Sequence, residues 1–246
     1  MLFPLSDDDR RLTRTAWVTL VFLAANVIVF ILFQGMGGNE AFTYGWSVIP
    51  QEIMTGQDLV GDVTMQVGDQ RAVITHTPGP VPIYLTILSA MFMHGGWLHL
   101  GGNLLYLWIF GDNVEHRFGP ITFALFYLAC GLAQVALDPD GVIPNLGASG
   151  AISGVLGAYL VLFPRNKVRA LLFYFVVSVP AVVVLGLWIA FQFFNGYGSF
   201  FAAEQTGGVA YGAHVGGFVA GVIGAFVLKG IRPPRLQEAV VTRAAR

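Results

Sequence analysis

The sequence predicts an all-α, polytopic membrane protein built as a bundle of six membrane-spanning helices. Hydrophobic residues make up 55% of its 246 residues and charged residues only 11%, less than half of the share of about 25% that is typical of soluble domains. Several apolar stretches also approach the length of roughly 20 residues that a helix needs to cross a bilayer. These features exclude a soluble enzyme and a disordered chain.

The charge balance and the cysteine content exclude two further classes of protein. The chain has 13 basic and 14 acidic residues, a net charge of −1, so no nucleic acid is expected as a partner. The single cysteine, Cys130, cannot form a disulfide framework within the chain or a cysteine-based metal site. The lipid bilayer is therefore the partner that the composition itself predicts.

The first predicted span covers residues 16–33 and follows a short charged segment, residues 1–15. A secretory signal peptide is the alternative, because Arg10 and Arg11 precede the apolar stretch. The stretch is longer than the usual hydrophobic region of a signal peptide, and residues 34–37 lack an A-x-A cleavage site. An uncleaved membrane anchor is the favoured interpretation.

Residues 35–97 form the predicted long first loop, in which residues 35–82 are polar by the standard of this chain. An apolar stretch over residues 83–93 is expected to form an interfacial or re-entrant helix. Five more spans follow, at residues 98–111, 121–137, 146–163, 170–194 and 209–228. Pro164 should end the fourth and Pro180 should kink the fifth, because proline lacks an amide proton. The membrane domain then covers residues 16–229, and residues 230–246 form a basic tail.

The basic residues predict the orientation of these spans. With six spans, the two termini and the loops after spans two and four share one side of the membrane. That side holds twelve of the 13 basic residues: Arg10, Arg11, Arg14, Arg117, Arg165, Lys167, Arg169, Lys229, Arg232, Arg235, Arg243 and Arg246. Only Arg71 lies on the other side. By the positive-inside rule both termini should be cytoplasmic, and the long first loop should lie outside.

Polar residues inside the spans cluster at one predicted depth. Polar side chains there are costly unless they line a cavity or find partners. They occur at the outer ends of spans two, four and six: His94, His99, Asn103, Ser149, Ser153 and His214. Each could be a packing residue or an ordinary interhelical hydrogen-bond donor, but their common depth predicts one functional site, turned toward the outer face.

Glycine spacing indicates how two of these spans could meet. Gly150, Gly154 and Gly157 line one face of span four, and His214 is followed on its own stripe by Gly217 and Gly221. Small residues at these intervals let helix backbones approach closely in lipid. Spans four and six could therefore bring a serine hydroxyl within reach of an imidazole.

These residue types fit amide hydrolysis. A serine such as Ser149 needs a nearby base to become a nucleophile, and His214 could take its proton. The resulting oxyanion needs preorganised donors, which the amide of Ser149, the side chain of Asn103 and the ring of His99 could supply. No carboxylate lies well inside a span, so the pattern predicts a Ser-His dyad instead of a triad.

Three motifs resemble those of the rhomboid intramembrane serine proteases. GASG at residues 147–150 is similar to the G-x-S-G nucleophile motif, and AHVGGFVAG at residues 213–221 to the histidine of the final helix with its glycines. HGGWLHLGGN at residues 94–103 is similar to the family's H-x₄-H-x₃-N segment, and GDNVE at residues 111–115 to the end of that helix. The three motifs together, in this order, are far more specific than G-x-S-G alone.

The resemblance implies roles for these residues. Ser149 would be the nucleophile and His214 the general base, and His99 and Asn103 would complete the oxyanion hole. Supporting residues would be His94 at the mouth of the cavity, Glu115 at the cytoplasmic end of span two, and the packing glycines Gly150, Gly217 and Gly221. The substrates would be transmembrane segments of other proteins, cleaved without a metal or cofactor.

Two departures from the family pattern accompany the resemblance. Many members have an aromatic ring four residues after the nucleophile, where this chain has Ser153, so Tyr211 or Phe218 is expected to support the imidazole. The Trp-Arg pair that many members carry in the first loop is not evident.

Two alternatives come from other functional classes. A non-catalytic rhomboid-like protein could hold membrane helices without cleaving them, although such relatives usually lack the serine or the histidine. A transporter or proton channel is disfavoured by the lack of an internal repeat and of carboxylates inside the spans.

Overall fold

The computed structural model describes residues 2–9, 12, 14–67, 70–136, 139–201 and 211–231. The long helices are α1 (Trp17–Ile28, continued by a π-helical turn over Val29–Phe33), α5 (Trp97–Phe118), α6 (Pro120–Ala136), α7 (Ser149–Leu162), α8 (Ala181–Phe201) and α9 (Tyr211–Ile231), and the short ones are α2 (Glu40–Gly45), α3 (Pro50–Thr55) and α4 (Leu85–Ala90). The strands are β1 (Phe3–Ser6), β2 (Gly61–Val67), β3 (Gln70–His76), β4 (Lys167–Leu172) and β5 (Phe175–Pro180). Residues 232–246 of the predicted tail lie outside the described residues.

The long helices cover parts of all six predicted spans. By length and composition, one described helix, Tyr211–Gly230, is long and apolar enough to cross a membrane. Four shorter apolar helices have 10–17 residues: Trp17–Phe33, Pro120–Ala133, Ser149–Leu162 and Ala181–Asn195. The count of six spans therefore stays a prediction.

Helix α7 forms the centre of the bundle. Every residue from Gly150 to Tyr159 is buried, among side chains from α5, α6, α8 and α9 that belong to the same core. A helix that is apolar on all sides is surrounded either by other elements or by lipid, and the burial of α7 shows that other elements surround it. The N-terminus of α7, where Ser149 lies, is thereby held inside the molecule.

The all-α prediction and the predicted helix over residues 170–194 are wrong in one region. Residues 167–180 form the antiparallel hairpin β4–β5, and β1 pairs with β4, so the sheet has the order β1-β4-β5. Val168 and Ala170 are buried while Lys167 and Arg169 are exposed, which is the two-residue period of a half-buried strand. Pro180 is the last residue of β5 and α8 begins after it, so this proline precedes a helix instead of kinking one.

The long first loop contains regular structure. Strands β2 and β3 pair in register from Gly61↔His76 to Val67↔Gln70, and α4 occupies part of the predicted interfacial helix. The loop is fastened to the segment before α7, because Val48 and Asn145 exchange backbone hydrogen bonds of 2.9 and 2.8 Å. This contact places the first loop beside the N-terminus of α7.

Candidate active site

The turn before α7 places Ser149, a partly buried residue, at the start of the helix. Gly147 has a φ of +131°, a conformation that L side chains rarely adopt, and its N–H donates to Ala90 O over 2.8 Å. Helix α7 then begins at Ser149, whose backbone carbonyl accepts a 2.6 Å hydrogen bond from the Ser153 hydroxyl. The side-chain oxygen of Ser149 is left available for other partners at the start of the helix.

The ring of His99 lies on the same side of Gly147 as the Ser149 hydroxyl. A Cβ atom placed on Gly147 would be 2.9 Å from both Nε2 and Cε1 of His99 and 3.5 Å from Oγ of Ser149. Any side chain at position 147 would therefore collide with the imidazole. The sequence motif and the structure agree that a glycine is needed at this position.

The hydrogen bonding of His99 assigns its tautomer. The N–H of Gly95 donates to Nδ1 of His99 over 3.2 Å. A neutral imidazole carries one proton, so when Nδ1 accepts, Nε2 is the donor. The nitrogen nearer to Gly147 is thus the one that can donate to an oxyanion.

Asn103 lies one helical turn after His99 on α5. It is buried, and its Nδ2 donates to the backbone carbonyl of His99 over 3.0 Å. An amide NH₂ has two hydrogens, so one remains for a further acceptor. His99 and Asn103 therefore share a face of α5, as their spacing predicts.

Helices α7 and α9 pack backbone against backbone. A Cβ atom on Gly217 would overlap the carbonyl oxygen of Gly150, and one on Gly221 would overlap that of Gly154. The contacting positions advance together along both chains, so the two helices run parallel. Contacts this close require a residue without a Cβ atom at positions 217 and 221.

This packing brings the ends of α7 and α9 that carry Ser149 and His214 to one another. Ser149 directly precedes Gly150, and His214 lies three residues, about one turn, before the facing Gly217. Among the described residues no hydrogen bond joins the Ser149 hydroxyl to the His214 ring. Catalytic hydrogen bonds are often long without a ligand and tighten in the substrate complex.

The hydrogen-bond partner of the His214 ring is a residue that sequence reasoning missed. Nδ1 of His214 and Oε1 of Gln192 on α8 are 2.8 Å apart, and Gln192 is only 6% exposed. With the amide oxygen accepting, Nδ1 holds the ring proton and Nε2 is free to act as a base. Gln192 is the first amide side chain in the apolar helix α8, and this was the signal that could have identified it.

Two aromatic rings flank the imidazole of His214. They stand in for the aromatic residue that the resemblance predicts at the position of Ser153. The centroid of Trp188 lies 6.0 Å from that of His214, and Tyr211 lies 6.5 Å away at an interplanar angle of 82°. Phe218 packs against Trp188, at 6.2 Å, on the side of α9. Support for the ring therefore comes from α8 and from the start of α9.

His94 packs behind His99. Its ring is fully buried, and the two ring centroids are 5.2 Å apart. Gln34 binds the backbone of His94 on both sides, since its Nε2 donates to His94 O over 3.0 Å and its Oε1 accepts from His94 N–H over 2.8 Å. Gln34 thus ties the end of the first span to the loop before α5. Sequence reasoning missed this residue as well.

Glu115 lies at the opposite end of α5 from His99. Its carboxylate accepts hydrogen bonds from Val18 N–H (3.0 Å), Thr19 N–H (2.7 Å) and the Thr19 hydroxyl (2.8 Å). These amides belong to the first turn of α1, where the helix dipole favours a negative charge. Glu115 thus ties α5 to α1, far from the reacting groups.

One group of carboxylates in the described residues could offer three ligands to a cation. Single oxygens of Asp7, Asp9 and Asp112 lie within 4.8 Å of one another. Asp7 and Asp9 accept hydrogen bonds from Asn113, and Asp7 also accepts one from Tyr159. Burial raises the pKa of Asp7 to about 9, so this carboxyl holds a proton at neutral pH.

Comparison with known proteins identifies relatives over most of this region. The Rhomboid domain matches residues 83–230. Rhomboid protein 1, mitochondrial, of Saccharomyces cerevisiae is 35% identical over 171 residues, 63% of this chain and 46% of that protein. Rhomboid protease GluP of Bacillus subtilis is 31% identical over 143 residues, 58% of this chain and 25% of that protein.

A third relative is described as inactive. Inactive RHOMBOID-like protein 8 of Arabidopsis thaliana is 24% identical over 174 residues, 64% of this chain and 47% of that protein. The chain spans about half or less of the length of these three relatives. Because the Rhomboid domain covers more than half of the chain, the protein belongs to the rhomboid family of helical membrane proteins.

Proposed function

We propose that the protein is an intramembrane serine endopeptidase in which Ser149 is the nucleophile and His214 the general base. The observation that supports this most strongly is the packing of Gly150 against Gly217, which holds the two reacting side chains at adjoining helix ends. One relative, GluP, is a rhomboid protease by name.

In the proposed reaction, Nε2 of His214 removes the hydroxyl proton of Ser149 as Oγ attacks the scissile carbonyl carbon. The protonated imidazole then gives this proton to the leaving amine, and an acyl-enzyme remains. A water molecule, deprotonated by the same nitrogen, hydrolyses the acyl-enzyme and restores the serine. Each proton removed is returned, so no other reactant is needed.

The oxyanion formed in both steps needs donors that are already in place. Nε2–H of His99 supplies one, because Gly95 occupies its Nδ1. The free hydrogen of the Asn103 amide and the backbone N–H of Ser149 supply the others.

Gln192 takes the orienting role that an aspartate has in a triad. Its carbonyl oxygen accepts from Nδ1–H of His214 and so presents Nε2 to the serine. Being neutral, it stabilises the protonated imidazole less than a carboxylate would. The dyad therefore has a positioning partner on α8 without a second charge in the membrane.

The proposed substrates are transmembrane segments of other proteins. A helix hides its carbonyls in its own hydrogen bonds, so a substrate must unwind near the cut, and small or helix-breaking residues should favour this. The positive-inside pattern of the sequence supports cytoplasmic termini and a site turned toward the outer face, in the cell membrane if the source is bacterial.

Helix α8 is the candidate lateral gate for these substrates. Phe191 on this helix is 45% exposed, whereas Trp188 and Gln192 contact the His214 side chain. A large outward movement of α8 would therefore also release the base. Phe191→Ala separates the opening of the gate from the loss of contacts to His214, because it removes only the partly exposed ring of Phe191. This variant should change the cleavage rate if α8 is the gate.

A non-catalytic rhomboid-like protein that binds membrane helices is the second candidate. It is favoured by the match to a relative that is inactive by name. Binding of a transmembrane segment without cleavage would support it.

A cleavage assay with purified protein tests the proposal. Candidate transmembrane substrates are incubated in proteoliposomes with the wild type, with Ser149→Ala and with Ser178→Ala, which removes an exposed hydroxyl from β5. We expect the wild type and Ser178→Ala to cleave and Ser149→Ala to be inactive but folded. Site-specific cleavage by Ser149→Ala would refute the serine mechanism.

A further inference from the structure

The small sheet β1-β4-β5 has one buried face and one exposed face. Val168 and Ala170 point into the core. Phe3, Leu171 and Val176 are paired across the three strands, and residues paired in this way project to the same side. Phe3 is 48% and Val176 52% exposed, so an apolar row crosses the outer face of the sheet.

The hairpin tip next to this row is strongly aromatic and strongly exposed. Phe173, Tyr174 and Phe175 are 80%, 94% and 72% exposed. Phe173 has a φ of +53° at the turn, an uncommon conformation for a bulky residue. Three consecutive exposed rings form a patch that a surface facing only water would disfavour.

The other end of the same face is basic. Lys167 and Arg169 alternate with the buried residues of β4 and are exposed, and Arg165, two residues before the strand, is exposed too. At about 3.3 Å per residue, Lys167 and Arg169 lie roughly 10–17 Å from the tip. Two of the acids that follow β1, Asp7 and Asp9, accept hydrogen bonds from Asn113.

The position of the sheet in the chain restricts its depth in a membrane. It lies between α7, which ends at Leu162, and α8, which begins at Ala181. Open strand edges carry unpaired amides and carbonyls, which the hydrocarbon core does not tolerate. A sheet attached to the ends of two membrane helices therefore lies outside the hydrocarbon core.

We propose that the outer face of this sheet binds the membrane interface, with the aromatic tip in the headgroup–acyl boundary and the basic end on anionic phospholipid headgroups. Aromatic rings prefer this depth, and lysine and arginine near it are attracted to anionic lipids. The surface joins α7 and α8 to the bilayer and does not depend on the proposed catalysis.

A depth-sensitive probe tests this surface. The buried Cys130 is replaced by alanine, Tyr174→Cys is labelled with an environment-sensitive fluorophore, and the Ser149→Ala protein is reconstituted in vesicles of phosphatidylcholine with or without phosphatidylglycerol. Gln57→Cys, an exposed position in the first loop, is the matched control. We expect a blue shift and quenching by nitroxide lipids at position 174 and neither at position 57.

The basic end is tested by the double substitution Lys167→Gln and Arg169→Gln. We expect it to remove the additional quenching that phosphatidylglycerol causes, while leaving the thermal unfolding temperature unchanged. A label at position 174 that is quenched by aqueous iodide and not by nitroxide lipids would overturn the proposal. Cysteine cross-linking between two copies at position 174, without lipid quenching, would overturn it in favour of a contact between copies of this chain.

Discussion

Substituting Gly217 by alanine perturbs the contact on which the proposed dyad depends most. In the native packing the α carbon of Gly217 lies against the backbone of Gly150, one residue after Ser149. An alanine Cβ would overlap the Gly150 carbonyl oxygen and lie 2.8 Å from its carbonyl carbon and 3.2 Å from its α carbon. These are backbone atoms, so no side-chain rotation can relieve the overlap.

The size of the effect follows from these distances. Carbon atoms pack best at about 3.5–4.0 Å, so α7 and α9 must separate locally by roughly 1 Å. Overpacking of this kind costs about 1–3 kcal/mol of stability, and a 1 Å misplacement of reacting groups can cost about 10²-fold in rate. Gly217→Ala should therefore fold, with a lower Tm, and cleave about 100-fold more slowly than the wild type.

The assay compares Gly217→Ala with Gly186→Ala in α8, where an added Cβ meets no atom within 4 Å. Thermal unfolding and substrate turnover are measured for both variants in the same detergent. We expect Gly186→Ala to match the wild type in both measurements. Wild-type turnover by Gly217→Ala would show that close approach of α7 and α9 does not position the dyad.

Three further predictions concern contacts around the bundle. Gln192→Leu should lower turnover by about 10- to 100-fold, because the His214 ring loses its orienting acceptor. Gln192→Glu should recover part of the lost turnover, with a shifted pH–rate profile. An unchanged rate in Gln192→Leu would remove the positioning role. Glu115→Gln should lower the free energy of unfolding by about 1–3 kcal/mol, because the NH₂ group of glutamine would face backbone amides of α1 that are themselves donors. Chemical denaturation measures this change. Burial raises the pKa of Asp7 from 3.8 to about 9, so the folded state retains a proton that the unfolded chain loses, and stability should fall as pH rises across this interval. Asp7→Asn should flatten this decline in Tm, and an equally steep decline in the variant would contradict the assignment.

The central residues of the candidate site could be recognised from the sequence because polar groups are costly in an apolar chain. Ser149, His99 and Asn103 stand out against their spans, and their spacing predicts shared faces. The glycines of α7 and α9 predict close packing by their spacing alone, and the structure confirms that Gly150 and Gly217 are in contact.

The β4–β5 hairpin could not be recognised from hydropathy. An apolar run such as residues 170–180 fits a helix and a buried strand equally well. The strand that completes the sheet, β1, pairs Phe3 with Leu171, a contact between distant parts of the chain that no local pattern reveals. The alternation of the charged Lys167 and Arg169 with apolar residues was the available local signal.

Gln192 and Gln34 were missed for a related reason. Each is an amide side chain next to an apolar stretch, and its role depends on a partner far away in sequence, His214 for Gln192 and the backbone of His94 for Gln34. The sequence argument grouped polar residues by their predicted depth in the membrane, and it therefore considered only those at the starts of spans. A search for every isolated amide in the apolar helices would have found Gln192.

The most direct test of the proposed dyad is the site at which a fluorophosphonate reacts with the purified protein, read by mass spectrometry. We predict a single adduct on Ser149, formed far more slowly in His214→Ala although that variant remains folded. An adduct on another residue, or labelling of Ser149 at the same rate without His214, would contradict the claim that these two side chains form one catalytic unit.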